Sequence, residues 1–206
     1  MKRPKGFSLV EMLVVLTVVS ILALLAVAGF SSTREANIAN GAQMVKGALK
    51  LARQIAVAQN RVTEVRFYEN TTTPTGGPAY AALRVEVYDV TGTTATPASH
   101  IIYLPAGVIM VADTSYSTLL SPTTNPATRT ENLPSSALRS YTVVQFRPTG
   151  ITTLSAVGST PAVGTSDQWF VTLKLASDPL KGSLPSANFV AVQVNPVTGE
   201  TLLYQP

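Results

Sequence analysis

From Leu9 to Phe30 the chain reads LVEMLVVLTVVSILALLAVAGF, 22 residues with one charged side chain, Glu11. As a helix this run rises about 33 Å, against a bilayer hydrocarbon core of about 30 Å. Such a segment constrains the chain more than any other feature, because it must be covered by lipid or by protein. Lys2, Arg3 and Lys5 precede it and the next cation is Arg34. That asymmetry predicts a single-pass helix over 7–30 with a cytoplasmic N-terminus and the remainder of the chain on the other side.

Two simpler readings compete. Ala26-Val27-Ala28 before Gly29 fits the small-residue site of a secretory signal peptide, but the apolar run is longer than usual for one and carries an acid near its start. A plain anchor accommodates the length and leaves Glu11 unexplained, since an unpaired carboxylate in hydrocarbon costs several kcal/mol at the centre and less near the interface.

The residue order at the start of the run is more specific: Lys5-Gly6-Phe7-Ser8-Leu9-Val10-Glu11. It resembles the prepilin cleavage motif of type IV pilins and type II secretion pseudopilins. The resemblance implies removal of residues 1–6, the basic leader with Lys2, Arg3 and Lys5, by a prepilin peptidase cutting between Gly6 and Phe7. It also implies N-methylation of Phe7. Glycine suits the cut because it lets a protease approach the backbone closely. In a helix Phe7 and Glu11 are one turn apart, about 6 Å of rise. The acid can therefore meet the new ammonium of its own chain or of a neighbour displaced along a filament. The resemblance assigns Glu11 that assembly role.

Composition supports no bulk polyanion partner. The formal charge is +4, but without residues 1–6 only 12 cations face 11 anions. With no cysteine there is neither a disulfide framework nor a thiolate metal site.

Helical pattern continues beyond the apolar run, as no proline occurs between Phe30 and Pro74. Ile38, Ala42, Val45, Leu49, Ala52 and Ala56 recur at spacings of three and four, one apolar stripe with polar residues around it. The expectation is one helix from Phe7 to Gln59, with 31–60 its amphipathic continuation. Packing of the stripe on a sheet is preferred to a coiled coil, because the stripe is alanine-rich and shorter than three heptads.

Residues 61–206 read as a β-rich domain. Strands are expected at 62–68, 82–90, 100–104, 108–111, 141–146, 169–175, 188–194 and 201–204. Asn195-Pro196-Val197-Thr198-Gly199-Glu200 marks a hairpin turn, and the Ser/Thr/Pro-rich stretch 114–140 reads as a long loop. The predicted class is α+β and pilin-like: a long N-terminal helix packed on an antiparallel sheet. Gln59-Asn60-Arg61-Val62, Phe146-Arg147-Pro148-Thr149-Gly150 and Val192 through Gly199 are similar to the order in H-type minor pseudopilins, FimT-like minor pilins and the Verru_Chthon cassette protein D group.

Enzyme chemistry finds little support. The one histidine is His100, so no Cys/His pair or histidine-rich metal site is available. There is no G-x-S-x-G, no Walker A loop and no EF-hand spacing. No cofactor or metal is implied, and the chain is expected not to be an enzyme. The partners implied by the resemblance are the prepilin peptidase, other pilin or pseudopilin subunits, an inner-membrane assembly platform and the lipid bilayer. A different class of function is nucleic-acid contact through Arg129, Arg139, Arg147, Lys174 and Lys181. No two of these are adjacent, which favours scattered solvated charges.

Overall fold

The computed structural model describes residues 8–70, 79–113, 115–120, 128–131, 139–154, 169–179 and 188–205, with the backbone alone described at 24–33, 70, 128, 129 and 139. Its element order is one helix, α1 (Leu9–Gln59), then ten strands: β1 (Thr63–Asn70), β2 (Ala79–Tyr88), β3 (Ala95–Pro97), β4 (Ile102–Tyr103), β5 (Val108–Val111), β6 (Thr128–Glu131), β7 (Arg139–Phe146), β8 (Trp169–Leu175), β9 (Phe189–Val194) and β10 (Thr201–Tyr204). The class is α+β with an antiparallel sheet, as the patterns predict. Contacts divide the chain into Met1–Ala36 and Asn37–Pro206.

In the first unit every described side chain from Leu9 to Ala23 is exposed, eleven of them large and apolar, from Leu9 and Val10 to Ile21 and Leu22. Among the described residues no helix is long and apolar enough to cross a membrane. The stretch with described side chains ends at Ala23, 15 residues or about 22 Å into α1. The predicted span continues to Phe30 through positions whose side chains lie outside the described residues.

The second unit is built on the stripe. Ile38, Ala42, Val45, Leu49, Ala52 and Ala56 are all buried. They join one core with Val65 and Phe67 of β1, Leu83 and Val85 of β2, Val144 and Phe146 of β7, and Val171 and Leu173 of β8. Alternation puts these strand residues on one sheet face. The helix approaches closely at Gly41, where a Cβ would stand 3.2 Å from Val108 and 3.3 Å from Leu173. Asn60 ends the helix at φ 52°, and Arg61 N–H donates to the Ala56 carbonyl, the six-to-one bond of a Schellman cap.

The strand order is β10-β9-β8-β5-β2-β1-β7-β6. One edge of β2 pairs with β1; β3, β4 and β5 pair in turn along its other edge. Most predicted strands stand where alternation put them, with boundaries moved by a few residues. The stretch 114–140 departs from a plain loop. It contains β6, β7 begins within it, and Tyr116, Ser117, Leu119 and Leu120 are buried. Where β5 runs out, Leu119 N–H donates to the Phe170 carbonyl, and the Thr118 and Ser117 hydroxyls accept from Phe170 and Thr172 N–H. These residues thus take over the open edge of β8.

Two turns meet at the helix end. In the turn 147–150 Gly150 has φ 82°, and in the turn 195–200 Gly199 has φ 68°. Thr152 N–H and hydroxyl both donate to the Pro196 carbonyl, and Arg53 Nε donates to the Gly150 carbonyl at 3.3 Å. A Cβ on Gly199 would lie 2.2 Å from that same carbonyl oxygen, whereas one on Gly92, at φ 72°, would meet nothing within 4 Å. Gly92→Ala therefore isolates the left-handed backbone term of about 1–2 kcal/mol, to which Gly199→Ala adds a backbone collision. The expected result in thermal melts is a drop of about 2–8 °C for Gly92→Ala and a clearly larger one for Gly199→Ala. Equal losses would show that the two turns do not press on each other.

Candidate functional site

Of the residues that the sequence marks for processing and assembly, Lys2, Arg3, Lys5, Gly6 and Phe7 lie outside the described residues. Glu11 is described, exposed, and already engaged. Its Oε2 accepts from Ser8 N–H at 3.0 Å, while Ser8 Oγ accepts from Val10 N–H at 3.3 Å. With Ser8 preceding the first helical residue, Glu11 is the third residue of the helix, and the pair forms a variant of the capping box in which the Ser8 hydroxyl takes the second helical N–H rather than the third. The signal for it, Ser-x-x-Glu before an apolar run, is in the sequence, and reading Glu11 only as an acid in hydrocarbon overlooks it. The acid also sits at the positive end of the helix dipole, where a negative charge is favoured.

Lys174 does not serve as a phosphate contact. It is buried on β8, and its Nζ donates to the Leu175 carbonyl at 2.9 Å and the Asp178 carbonyl at 2.5 Å. Desolvation lowers its pKa, with Asp178 acting in opposition. Arg147 is exposed, and the side chains of Arg129, Arg139 and Lys181 lie outside the described residues. The described residues therefore assemble no cationic face from this set.

A second constellation, not expected from the sequence, occupies the sheet face opposite α1. Glu64 and Arg66 of β1 stand directly across from Glu86 and Arg84 of β2. Like charges thus face each other, an arrangement that costs energy unless counter-charges intervene. Arg66 Nε donates to Glu64 Oε1 at 2.6 Å, and Arg84 Nε lies against Glu86 Oε1. Tyr88 Oη and Gln145 Nε2 donate to Glu64 Oε2, each at 3.0 Å. The third acid comes from β6: Glu131 Oε2 accepts from Arg66 Nη1 at 2.8 Å and Tyr68 Oη at 2.9 Å, and Oε1 accepts from Arg84 Nη2 at 2.5 Å.

Burial opposes ionisation of Glu131, but the bonds from Arg84, Arg66 and Tyr68 outweigh it and hold the carboxyl below its usual range. Burial raises Glu86, against the pull of Arg66 and Arg84. Burial, reinforced by the bond to Glu131, raises the Tyr68 phenol. The available sequence signal was Glu-Val-Arg at 64–66 and Arg-Val-Glu at 84–86. Charges at period two inside apolar strands mark a face where ions are buried together.

Residues 1–27 match the family model described as the prokaryotic N-terminal methylation motif. No curated protein sequence matches the chain. The crystal structure of the type IV minor pilin FimU of Pseudomonas aeruginosa aligns with a TM-score of 0.45 and 13% identity, over 82% of this chain and 92% of that one.

Proposed function

We propose that this chain is a minor pilin-like or pseudopilin-like subunit that works by assembly rather than by catalysis. In this reading it is made as a precursor and held in the cytoplasmic membrane by the N-terminal part of α1, with residues from about 31 onward outside. A prepilin peptidase cuts it between Gly6 and Phe7 and methylates Phe7. It then joins other pilin-like subunits in a filament, a type IV pilus or a type II secretion pseudopilus, through an inner-membrane assembly platform. Glu11 supplies the counter-charge for an incoming Phe7 ammonium.

The observation that carries this reading is the contrast within α1 behind a methylation motif. Residues 38–56 bury their stripe under the chain's own sheet. Leu9 to Leu22 expose apolar side chains with no cover of their own, each worth roughly 1.5 kcal/mol or more once removed from water. Lipid before assembly and neighbouring helices afterwards meet that need. Lys174 and Glu131, two polar groups inside the outer unit, are engaged in internal bonds, which suits a structural part.

The test is the mature N-terminus of protein taken from its native membrane. Mass spectrometry is expected to find N-methylated Phe7. A start at Gly29 would mean ordinary secretion, and a start at Met1 a plain anchor; either would overturn the proposal.

A further inference from the structure

The Glu131 contact is unusual in where its two sides come from. Strands β1 and β2 carry Arg66, Tyr68 and Arg84, whereas β6 is the outermost strand on its side of the sheet, bonded to β7 alone among the described strands. In a flat sheet β6 and β2 would be three spacings apart, about 14 Å. The contacts of Glu131 with both arginines are made across the intervening strands by the long side chains, while Glu131 itself stays paired with Arg139 of β7. What it meets there is a set of three donors aimed at one carboxylate, with both oxygens engaged.

The arginines are held ready independently of β6. Glu64 accepts a hydrogen bond from Arg66, and Glu86 lies against Arg84 as a charge contact without a hydrogen bond. Tyr141 lies against the Arg66 guanidinium, 4.9 Å from the ring centroid, and Tyr68 lies 5.8 Å from that of Arg84. Among the described side chains Glu131 is a third acid facing two arginines, held where three donors converge on it. Glu131 is also the most exposed of the five charged members, at 22% against 12% or less for the others.

We propose that Arg66, Arg84 and the Tyr68 hydroxyl form a carboxylate receptor whose resident ligand is Glu131, making β6 a strap that, among its described side chains, Glu131 fastens to this face. When the strap lifts, the sheet face presents a binding site for a carboxylate, the chemistry of an acidic side chain on another chain. Charge-assisted bonds of this kind are among the stronger ones a side chain makes. β6 itself adds only a four-residue ladder to β7.

Arg129 gives a direct readout of the strap, because trypsin can cut after it only when β6 leaves the sheet. In the full chain in detergent, Glu131→Ala is expected to raise the rate of that cut roughly tenfold or more over wild type. The receptor is read separately with acetate as the probe and chloride at equal ionic strength as the control. Acetate is expected to raise the melting temperature of Glu131→Ala by a few degrees beyond chloride. Wild type, with its receptor filled, and the double variant Glu131→Ala/Arg84→Met are expected to gain nothing. An unchanged cut after Arg129 would overturn the strap, and equal effects of acetate and chloride on Glu131→Ala would overturn the receptor. Should Glu131→Ala fail to accumulate, Glu131→Gln keeps the shape without the charge: a faster cut supports the strap and a wild-type rate rejects it.

Discussion

Leu49→Asp is expected to unfold the outer unit at temperatures where the wild type is intact. Leu49 is fully buried in the core that joins α1 to the sheet. Removing such a side chain costs about 2–5 kcal/mol, and a carboxylate in its place adds the cost of an unpaired charge in apolar surroundings. The sum approaches the whole stability of a typical domain, about 5–15 kcal/mol. The comparison is Lys50→Asp, one position away on the exposed side of the same helix, where a change within about 0.5 kcal/mol is expected. Melting of the full chain in detergent, followed by strand-region circular dichroism and by resistance to protease, separates the two. A Leu49→Asp protein that melts with the wild type would show that the helix stripe is not what holds the sheet.

For Glu11, the capping box changes which substitution is informative. Glu11→Ala removes two things at once, the acceptor for Ser8 N–H and the charge, so its failure alone would not say which matters. Glutamine keeps an acceptor oxygen in the same place and is itself a capping-box residue, but it carries no charge. A lost cap costs about 1 kcal/mol, whereas an ammonium left without its counter-charge in an apolar core costs several. If the carboxylate meets a neighbour's Phe7 ammonium, both Glu11→Gln and Glu11→Ala are expected to fall at least about tenfold in recovery with sheared filaments. Cleavage and membrane insertion should be normal in both. Wild-type incorporation of the glutamine variant, with alanine impaired, would reduce Glu11 to a helix cap.

These elements differ in how far the sequence alone reveals them. All six stripe positions from Ile38 to Ala56 are buried as their spacing predicts, because helix geometry is local and repeats. Strand β8 occupies the predicted residues 169–175 for a similar reason, its alternation being visible in seven consecutive positions. Strands β3 and β6 were not legible. Ala-Thr-Pro and Thr-Arg-Thr-Glu have no apolar alternation, and they are strands because a neighbour supplies a ladder and, for β6, because two arginines hold its glutamate. The motif from Lys5 to Glu11 was legible as a string of residue types. The bond from Ser8 N–H to Glu11 is equally local and could have been read from the same string. The receptor face could not be assembled that way, since it joins residues 66, 68, 84 and 131 through the register of β1 and β2 and side-chain contacts reaching from β6.

The turns at 147–150 and 195–200 set a schedule for folding. Arg53 closes the helix end by bonding a carbonyl 97 positions later, and Gly199 leaves the room at that carbonyl that a Cβ would fill. Contacts of such sequence separation form late, because the intervening chain must be ordered before they return any stability. While the chain is being delivered, the stripe from Ile38 to Ala56 exists as a helix face without its full cover, which β7, β8 and β9 complete. Loss of the turn 195–200 would therefore be felt at the end of a helix more than a hundred residues away, since that turn is held to 147–152 and closes around Arg53.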